Sequence, residues 1–117
     1  MGNITTDMSY YLEQVDKMKD QVAKTDQAFF DAYTEFSQQA KKPGALSAKA
    51  KELICVALGI AAHCTFCIAG HVKNAIEAGA SRGEIMEAGF LATLMGGGPS
   101  LAYLTYVIEA CDQFGAE

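Results

Sequence analysis

Two cysteines separated by two residues, Cys64 and Cys67, are the part of this sequence best suited to chemistry. Cysteines at this spacing at a helix start can close a disulfide with little strain. One of them then lies near the exposed N–H groups and the positive end of the helix dipole, which favour its thiolate. Because the thiolate is the nucleophilic form of cysteine, the pair is predicted to be a thiol redox centre.

Two further residues, His71 and Glu52, are candidates to move protons for this pair. His71 follows Cys67 by one helical turn on the same face, where an imidazole can take and hold the thiol proton. Glu52 precedes Cys64 by twelve residues, about 18 Å along one continuous helix. If the chain instead reverses near residues 62–63 as a helical hairpin, Glu52 comes close to His71 and can orient the imidazole or pass protons onward.

The elements that position these residues are all helical in pattern. No sustained alternation or tight hairpin signal indicates a strand, so we expect an all-α bundle of about five to six helices in a single domain of residues 1–117. Apolar residues recur at helical spacing over residues 7–39, as one long helix or as two parted near Thr25. Residues 41–44 are the clearest break, and Ser47 then caps a helix that should be buried.

The second half of the chain carries further helix boundaries. A helix is predicted over residues 65–79, and Ser81 with Glu84 forms a capping box that opens the next. Residues 96–98, all glycine, predict a turn before a last helix over residues 99–114. That helix is apolar nearly all round, and in so short a chain we expect it in a subunit interface.

Three glycines lie inside the predicted helices. Each costs about 1 kcal/mol of helix stability relative to alanine. Close approach between helices is the expected compensation. The three are Gly59, Gly70 and Gly89.

Charge and composition exclude several classes of protein. The net charge is −5 and the nine basic residues are mostly single, so nucleic acid is not an expected partner. No apolar run is expected to approach the roughly 20 residues that span a bilayer, and no secretory signal pattern is evident, which predicts a cytoplasmic protein without a membrane partner. Cys55 and Cys111 stand singly among apolar neighbours and are predicted to be small buried hydrophobic residues.

A zinc site is the main alternative use of the cysteine pair. His63 and His71 flank it, but zinc needs four tetrahedral ligands, and ligands at one helix end reach it poorly. We therefore predict neither a metal nor a bound cofactor.

The spacing of these residues resembles a known signature. Glu52, Cys64, Cys67 and His71 match the E-x11-C-x-x-C-x3-H pattern of the AhpD-like alkylhydroperoxidases, a group within the carboxymuconolactone decarboxylase superfamily. The resemblance extends over about residues 29–110. It implies an all-helical fold and assembly into dimers, trimers or hexamers.

The same resemblance implies an activity. It implies an antioxidant enzyme that reduces alkyl hydroperoxides, with Cys67 as the attacking thiolate, Cys64 as the resolving thiol, and His71 and Glu52 as the proton relay. Electrons would come from an external dithiol, for example a thioredoxin or lipoyl-type protein. Phe66 stands where the best-characterised members have a histidine, which implies a simpler or slower relay and a more apolar pocket.

Two alternatives remain open at this point. One is an enzyme like the carboxymuconolactone decarboxylases, although those generally lack the cysteine pair. The other is a redox-sensing helical oligomer without catalytic activity.

Overall fold

The computed structural model describes residues 6–117, and within them it contains five α-helices and no strand. The helices are α1 (Met8–Thr25), α2 (Gln27–Lys41), α3 (Ala48–Ala61), α4 (Thr65–Glu77) and α5 (Arg82–Phe114). The all-α prediction is confirmed. Of the predicted single domain, residues 1–5 lie outside the described residues.

Capping residues separate the helices at the predicted places. Asp26 has an extended backbone and accepts a hydrogen bond from the Phe29 N–H at 3.0 Å, so α1 and α2 part just after Thr25. Ser47 caps α3 in the same way, and Ser81 with Glu84 forms the predicted capping box of α5. Each cap satisfies N–H groups that the first turn of a helix leaves unpaired.

The core lies between α3, α4 and α5. Its fully buried side chains are mainly aliphatic: Val56, Ile60, Ile68, Val72, Ile85 and Val107. In contrast, α1 buries only Met8, and α2 has no buried residue. The first two helices therefore form an outer layer, in which α1 packs on α4 and α2 packs mainly on α1.

The helix α5 folds back on itself at the predicted glycine turn. Gly97 has φ 61° and ψ −143°, which are not helical values. The guanidinium of Arg82 lies 2.6 Å from the carboxylate of Asp112, although the two residues are thirty positions apart. The two halves of α5 consequently run antiparallel. The second half buries Val107 and Cys111 in the core and exposes Leu101 and Ile108 on the other side.

The fold corrects the expectation that no segment is apolar enough to span a membrane. By length and composition alone, α5 is long and apolar enough to cross a membrane. Its residues from Ala88 to Ile108 carry no charge. Because the helix reverses at Gly97, each half is only about 15–18 residues, or about 22–27 Å, long. This is shorter than the roughly 30 Å thickness of a bilayer core.

Two of the three helical glycines lie where helices approach closely, as predicted. A Cβ on Gly59 would lie 3.3 Å from the Cβ of Cys67, and one on Gly89 would lie 2.7 Å from the Leu104 side chain. For Gly70 the prediction was wrong, because a Cβ there would meet nothing within 4 Å.

Candidate redox site

A tight reversal between α3 and α4 builds the site. His63 has φ 53° and is the one non-glycine residue with positive φ among residues 6–117. The N–H of His63 donates to the Ile60 carbonyl at 3.0 Å, and that of Cys64 donates to the Gly59 carbonyl at 2.9 Å. These bonds close the α3 end, and the chain turns directly into α4. The helical hairpin predicted near residues 62–63 is therefore present.

The two cysteines occupy the first turn of α4. They are disulfide-bonded, and both are half-buried. Cys64 is the N-cap residue, and its Sγ accepts the backbone N–H of Cys67 at 3.2 Å. An N–H donor and the positive end of α4 thus face the sulfur of Cys64, where they would stabilise a negative charge.

The hairpin brings Glu52 of α3 against His71 of α4. Glu52 Oε1 lies 2.7 Å from His71 Nδ1, and Glu52 is only 7% exposed. Since a carboxylate accepts, Nδ1 carries the hydrogen of this bond, and Nε2 is left free to take a proton. The predicted juxtaposition of Glu52 and His71 is therefore observed.

A lysine absent from the sequence prediction completes this arrangement. Nζ of Lys41, in the last turn of α2, lies 3.2 Å from Oε2 of Glu52. Burial raises the pKa of the Glu52 carboxyl, but the hydrogen bonds and charges of His71 and Lys41 outweigh it, so that this pKa is lowered from its ordinary value. The only sequence signal for Lys41 was its position at the end of a helix, which is common for lysine.

A cavity of about 480 Å³ opens beside the cysteine pair. Cys67 and His71 line it, whereas Cys64 does not. The rest of the lining comes mainly from apolar side chains of the two outer helices: Val15, Met18 and Val22 of α1 with Phe29, Phe30 and Tyr33 of α2. The sulfur that can meet a small molecule in this cavity is therefore that of Cys67.

Phe66 also lines the cavity. Its ring is 47% exposed and meets Tyr11 of α1 edge to face, with the ring centroids 5.2 Å apart. A phenyl ring cannot carry a proton, so Phe66 itself cannot take part in proton transfer. The lining is apolar here, in line with the prediction from Phe66.

The remaining cysteines are separate from the site chemistry. Cys111 is buried as predicted, but Cys55 is only half-buried. Burial raises the pKa of both thiols, and the nearby Glu52 carboxylate raises that of Cys55 further. Both are therefore poor nucleophiles. Within residues 6–117, no group of three or more His, Cys, Asp or Glu side chains is placed to hold a metal ion.

Residues 27–110 match the carboxymuconolactone decarboxylase family. The chain belongs to this family. The match covers nearly the same range as the predicted resemblance over residues 29–110, and it includes all four predicted site residues.

This carboxymuconolactone decarboxylase family protein is similar in structure or in sequence to several known proteins. A family protein from Legionella pneumophila, solved in its apo form, is 34% identical with a TM-score of 0.88, and the alignment covers 92% of this chain and 96% of that one. A family protein from Thermotoga maritima, described as a candidate for an antioxidative response, is 23% identical with a TM-score of 0.80 over 91% and 90% of the two chains. An uncharacterised protein of the cox locus of Paracoccus denitrificans is 36% identical over 71% of this chain and 75% of its own length.

Proposed function

We propose that this protein is an AhpD-like thiol peroxidase that reduces alkyl hydroperoxides through Cys67 and Cys64, with His71 and Glu52 as its proton relay. The observation that carries the proposal is the Cys64–Cys67 disulfide beside the hydrogen-bonded Glu52–His71 pair. A redox-active disulfide next to an oriented imidazole has the parts that thiol-based peroxide reduction needs. The Thermotoga relative's connection with an antioxidative response supports the same assignment.

The reaction proceeds in two oxidative steps. The Cys67 thiolate attacks the terminal oxygen of ROOH, the O–O bond breaks, and ROH leaves with one proton, so that Cys67 becomes a sulfenic acid. The Cys64 thiol then attacks the Cys67 sulfur, forming the disulfide and releasing water. His71 accepts the proton of the Cys67 thiol at Nε2 and returns it to the leaving alkoxide, while Glu52 holds the imidazole through Nδ1.

Reduction restores the two thiols. An external dithiol reduces the disulfide, and its own thiols become a disulfide, which balances the two electrons. Attack on the accessible Cys67 sulfur expels Cys64 as the thiolate that the Cys67 N–H stabilises. We include in the proposal a thioredoxin or lipoyl-type protein as reductant, a homo-oligomeric state and a cytoplasmic location.

Three variants test the proposal. Peroxide consumption with dithiothreitol should fall below about 1% of wild type in Cys67→Ser, since the remaining thiol of the pair, Cys64, does not line the cavity. Cys64→Ser should still react once, leaving a sulfenic acid on Cys67 that a dimedone probe traps. Cys55→Ser is the control and should keep wild-type turnover. Full activity in Cys67→Ser would show the assignment to be wrong.

The same assay addresses the two alternatives. A redox-sensing oligomer would form the disulfide but consume peroxide no faster than free dithiothreitol does. A carboxymuconolactone decarboxylase-like enzyme, which family membership also supports, would keep its activity when both cysteines are replaced by serine.

A further inference from the structure

Gly70 has no explanation in the packing of the protein. A glycine within a helix costs about 1 kcal/mol relative to alanine, and at Gly59 and Gly89 a neighbouring helix lies so close that an added Cβ would be crowded. A Cβ on Gly70 would instead meet open space, with nothing within 4 Å. Gly70 lies one turn after Cys67, and both line the same cavity. Its missing side chain therefore enlarges the space directly beside the reactive sulfur.

The opposite wall of this cavity comes from the outer layer of helices. Three apolar residues of α1 contribute to it, Val15, Met18 and Val22. They precede residue 27, where the match to the family begins. The aromatic residues Phe29 and Phe30 of α2 continue the wall. We name this apolar cavity beside the cysteine site, walled by α1 and α2, the chamber.

The size of the chamber exceeds what a small peroxide needs. Its volume of about 480 Å³ is within the range of roughly 300–1,000 Å³ that is typical of small-molecule sites. Hydrogen peroxide has no apolar group to place against this lining. A hydrocarbon group bonded to the peroxide would displace water from apolar walls, and this displacement favours binding.

We propose that this cavity binds the hydrocarbon part of a bulky organic hydroperoxide, and that Gly70 determines this specificity by leaving room for that group beside Cys67. The inference rests on the proposed peroxidase function and adds the residue that sets the size of the group accepted beside Cys67. The peroxide oxygens then lie against Cys67 and His71. When Cys67 takes the terminal oxygen, the hydrocarbon leaves as its alcohol and takes the proton from His71.

The test is a ratio of two rates in single turnover. The reduced protein is mixed with cumene hydroperoxide or with hydrogen peroxide, and the loss of the Cys64 and Cys67 thiols is followed. We expect the ratio of the two rate constants to exceed the same ratio for glutathione by about tenfold, a factor that corresponds to about 1.4 kcal/mol. Normalising to glutathione removes the intrinsic difference in reactivity between the two peroxides.

Two variants alter the chamber from opposite sides. Gly70→Leu should lower the ratio about tenfold because the new side chain fills the chamber, and leucine is a far better helix former than glycine, so the fold is preserved. Phe29→Ala should lower it as well, because an aromatic wall is lost. Phe36→Ala is the matched control: it removes the same ring from the same helix, but Phe36 is 67% exposed and lies outside the lining, so the wild-type ratio should persist.

A binding measurement tests the chamber without turnover. The oxidised wild-type protein is titrated with 2-phenyl-2-propanol, the alcohol produced from cumene hydroperoxide, and amide signals are followed by NMR. Saturable shifts at Gly70 and Val22 that disappear in Gly70→Leu support the proposal. Absence of such shifts, a wild-type ratio equal to that of glutathione, or an unchanged ratio in Gly70→Leu would overturn it. If the proposed peroxidase function itself is wrong, the result differs from all of these. In that case no hydroperoxide forms the Cys64–Cys67 disulfide faster than it oxidises glutathione.

Discussion

The Glu52 carboxylate is held by a different helix at each of its oxygens. His71 of α4 binds Oε1, and Lys41 of α2 lies at Oε2. A carboxylate with only 7% exposure would be costly to bury without such partners. The orientation of the His71 imidazole, and with it any proton transfer, consequently depends on α2 as well as on the α3–α4 hairpin.

Removing the Lys41 charge should alter the pH dependence of peroxide reduction. In Lys41→Met the pKa of Glu52 rises, because burial is then opposed by His71 alone. The proposed relay needs the carboxylate, so the acidic limb of the rate profile should move to higher pH, and the rate on that limb should fall by up to about tenfold, the effect of losing one charge-assisted hydrogen bond. Lys41→Arg keeps the charge and should restore the profile. An identical acidic limb in Lys41→Met would contradict this role.

The same carboxylate should make stability depend on pH. The pKa of Glu52 in the folded protein lies below its ordinary value of 4.5, so the unfolded chain binds this proton more readily. The stabilisation is therefore complete above pH 4.5 and is lost as the pH falls through the folded pKa.

Glu52→Gln removes this contribution. At pH 7 we expect the variant to be less stable than wild type by about 2 kcal/mol in urea unfolding, with the difference decreasing toward pH 3. The exposed Glu35→Gln on α2 is the charge-matched control and should leave the unfolding free energy within about 0.5 kcal/mol of wild type. A Glu52→Gln difference that did not change with pH would exclude this linkage.

At the scale of elements, α2 is attached to the core mainly by polar contacts near its end. It has no buried residue. Lys51 of α3 donates from Nζ to the carbonyls of Ala40 at 3.0 Å and Lys42 at 2.5 Å, at the end of α2. These carbonyls lack partners within the helix, and a cation there also interacts favourably with the helix dipole. Lys41 and Lys51 thus cross between α2 and α3 in opposite directions.

Lys51→Met should loosen α2 while the core stays intact. We expect amide hydrogen exchange in α2 to accelerate about tenfold, because both hydrogen bonds at its end are lost. Lys49→Met is the matched control, since Lys49 pairs with Glu84 at 2.9 Å and connects α3 to α5 instead. If Lys49→Met accelerated exchange in α2 as much as Lys51→Met, the attachment would not be specific to Lys51.

The sequence predicted the placement of four side chains better than their surroundings. Glu52, Cys64, Cys67 and His71 are related by helical spacing and one tight turn, and both are local properties that a sequence encodes. Lys41 was missed because its contact with Glu52 spans a loop whose path no local pattern specifies.

The outer helices show a second limit of sequence patterns. Helical periodicity identified an apolar face on α1 and α2 that includes Met18 and Phe29. Periodicity shows that a face is apolar but not what covers it. In the structure this face lines the cavity or is exposed to solvent, with Met18 51% and Phe29 60% exposed.

On the scale of the whole molecule, a second apolar surface lies on the side of α3 and the first half of α5. Leu58 is 61% exposed, Leu91 62% and Leu94 78%. A groove of about 650 Å³ between the two helices is lined by Ile54, Leu58 and Leu91 among others. Contiguous exposed apolar surface of this kind is typical of interfaces between subunits.

We expect this surface, which we name the α3–α5 face after Ile54, Leu58, Leu91 and Leu94, to join copies of the chain. Light scattering after size exclusion should give a mass of two or more times 12.5 kDa, because a stable interface needs about 800 Å² per partner and this face is the natural source of it. Leu91→Glu places a charge in the groove and should shift the mass toward that of a monomer. Gln39→Glu adds the same charge at an exposed position of α2 and should leave the assembly unchanged. A monomeric wild type at tens of micromolar protein, or an oligomer that Leu91→Glu does not weaken, would show that the α3–α5 face is not the interface.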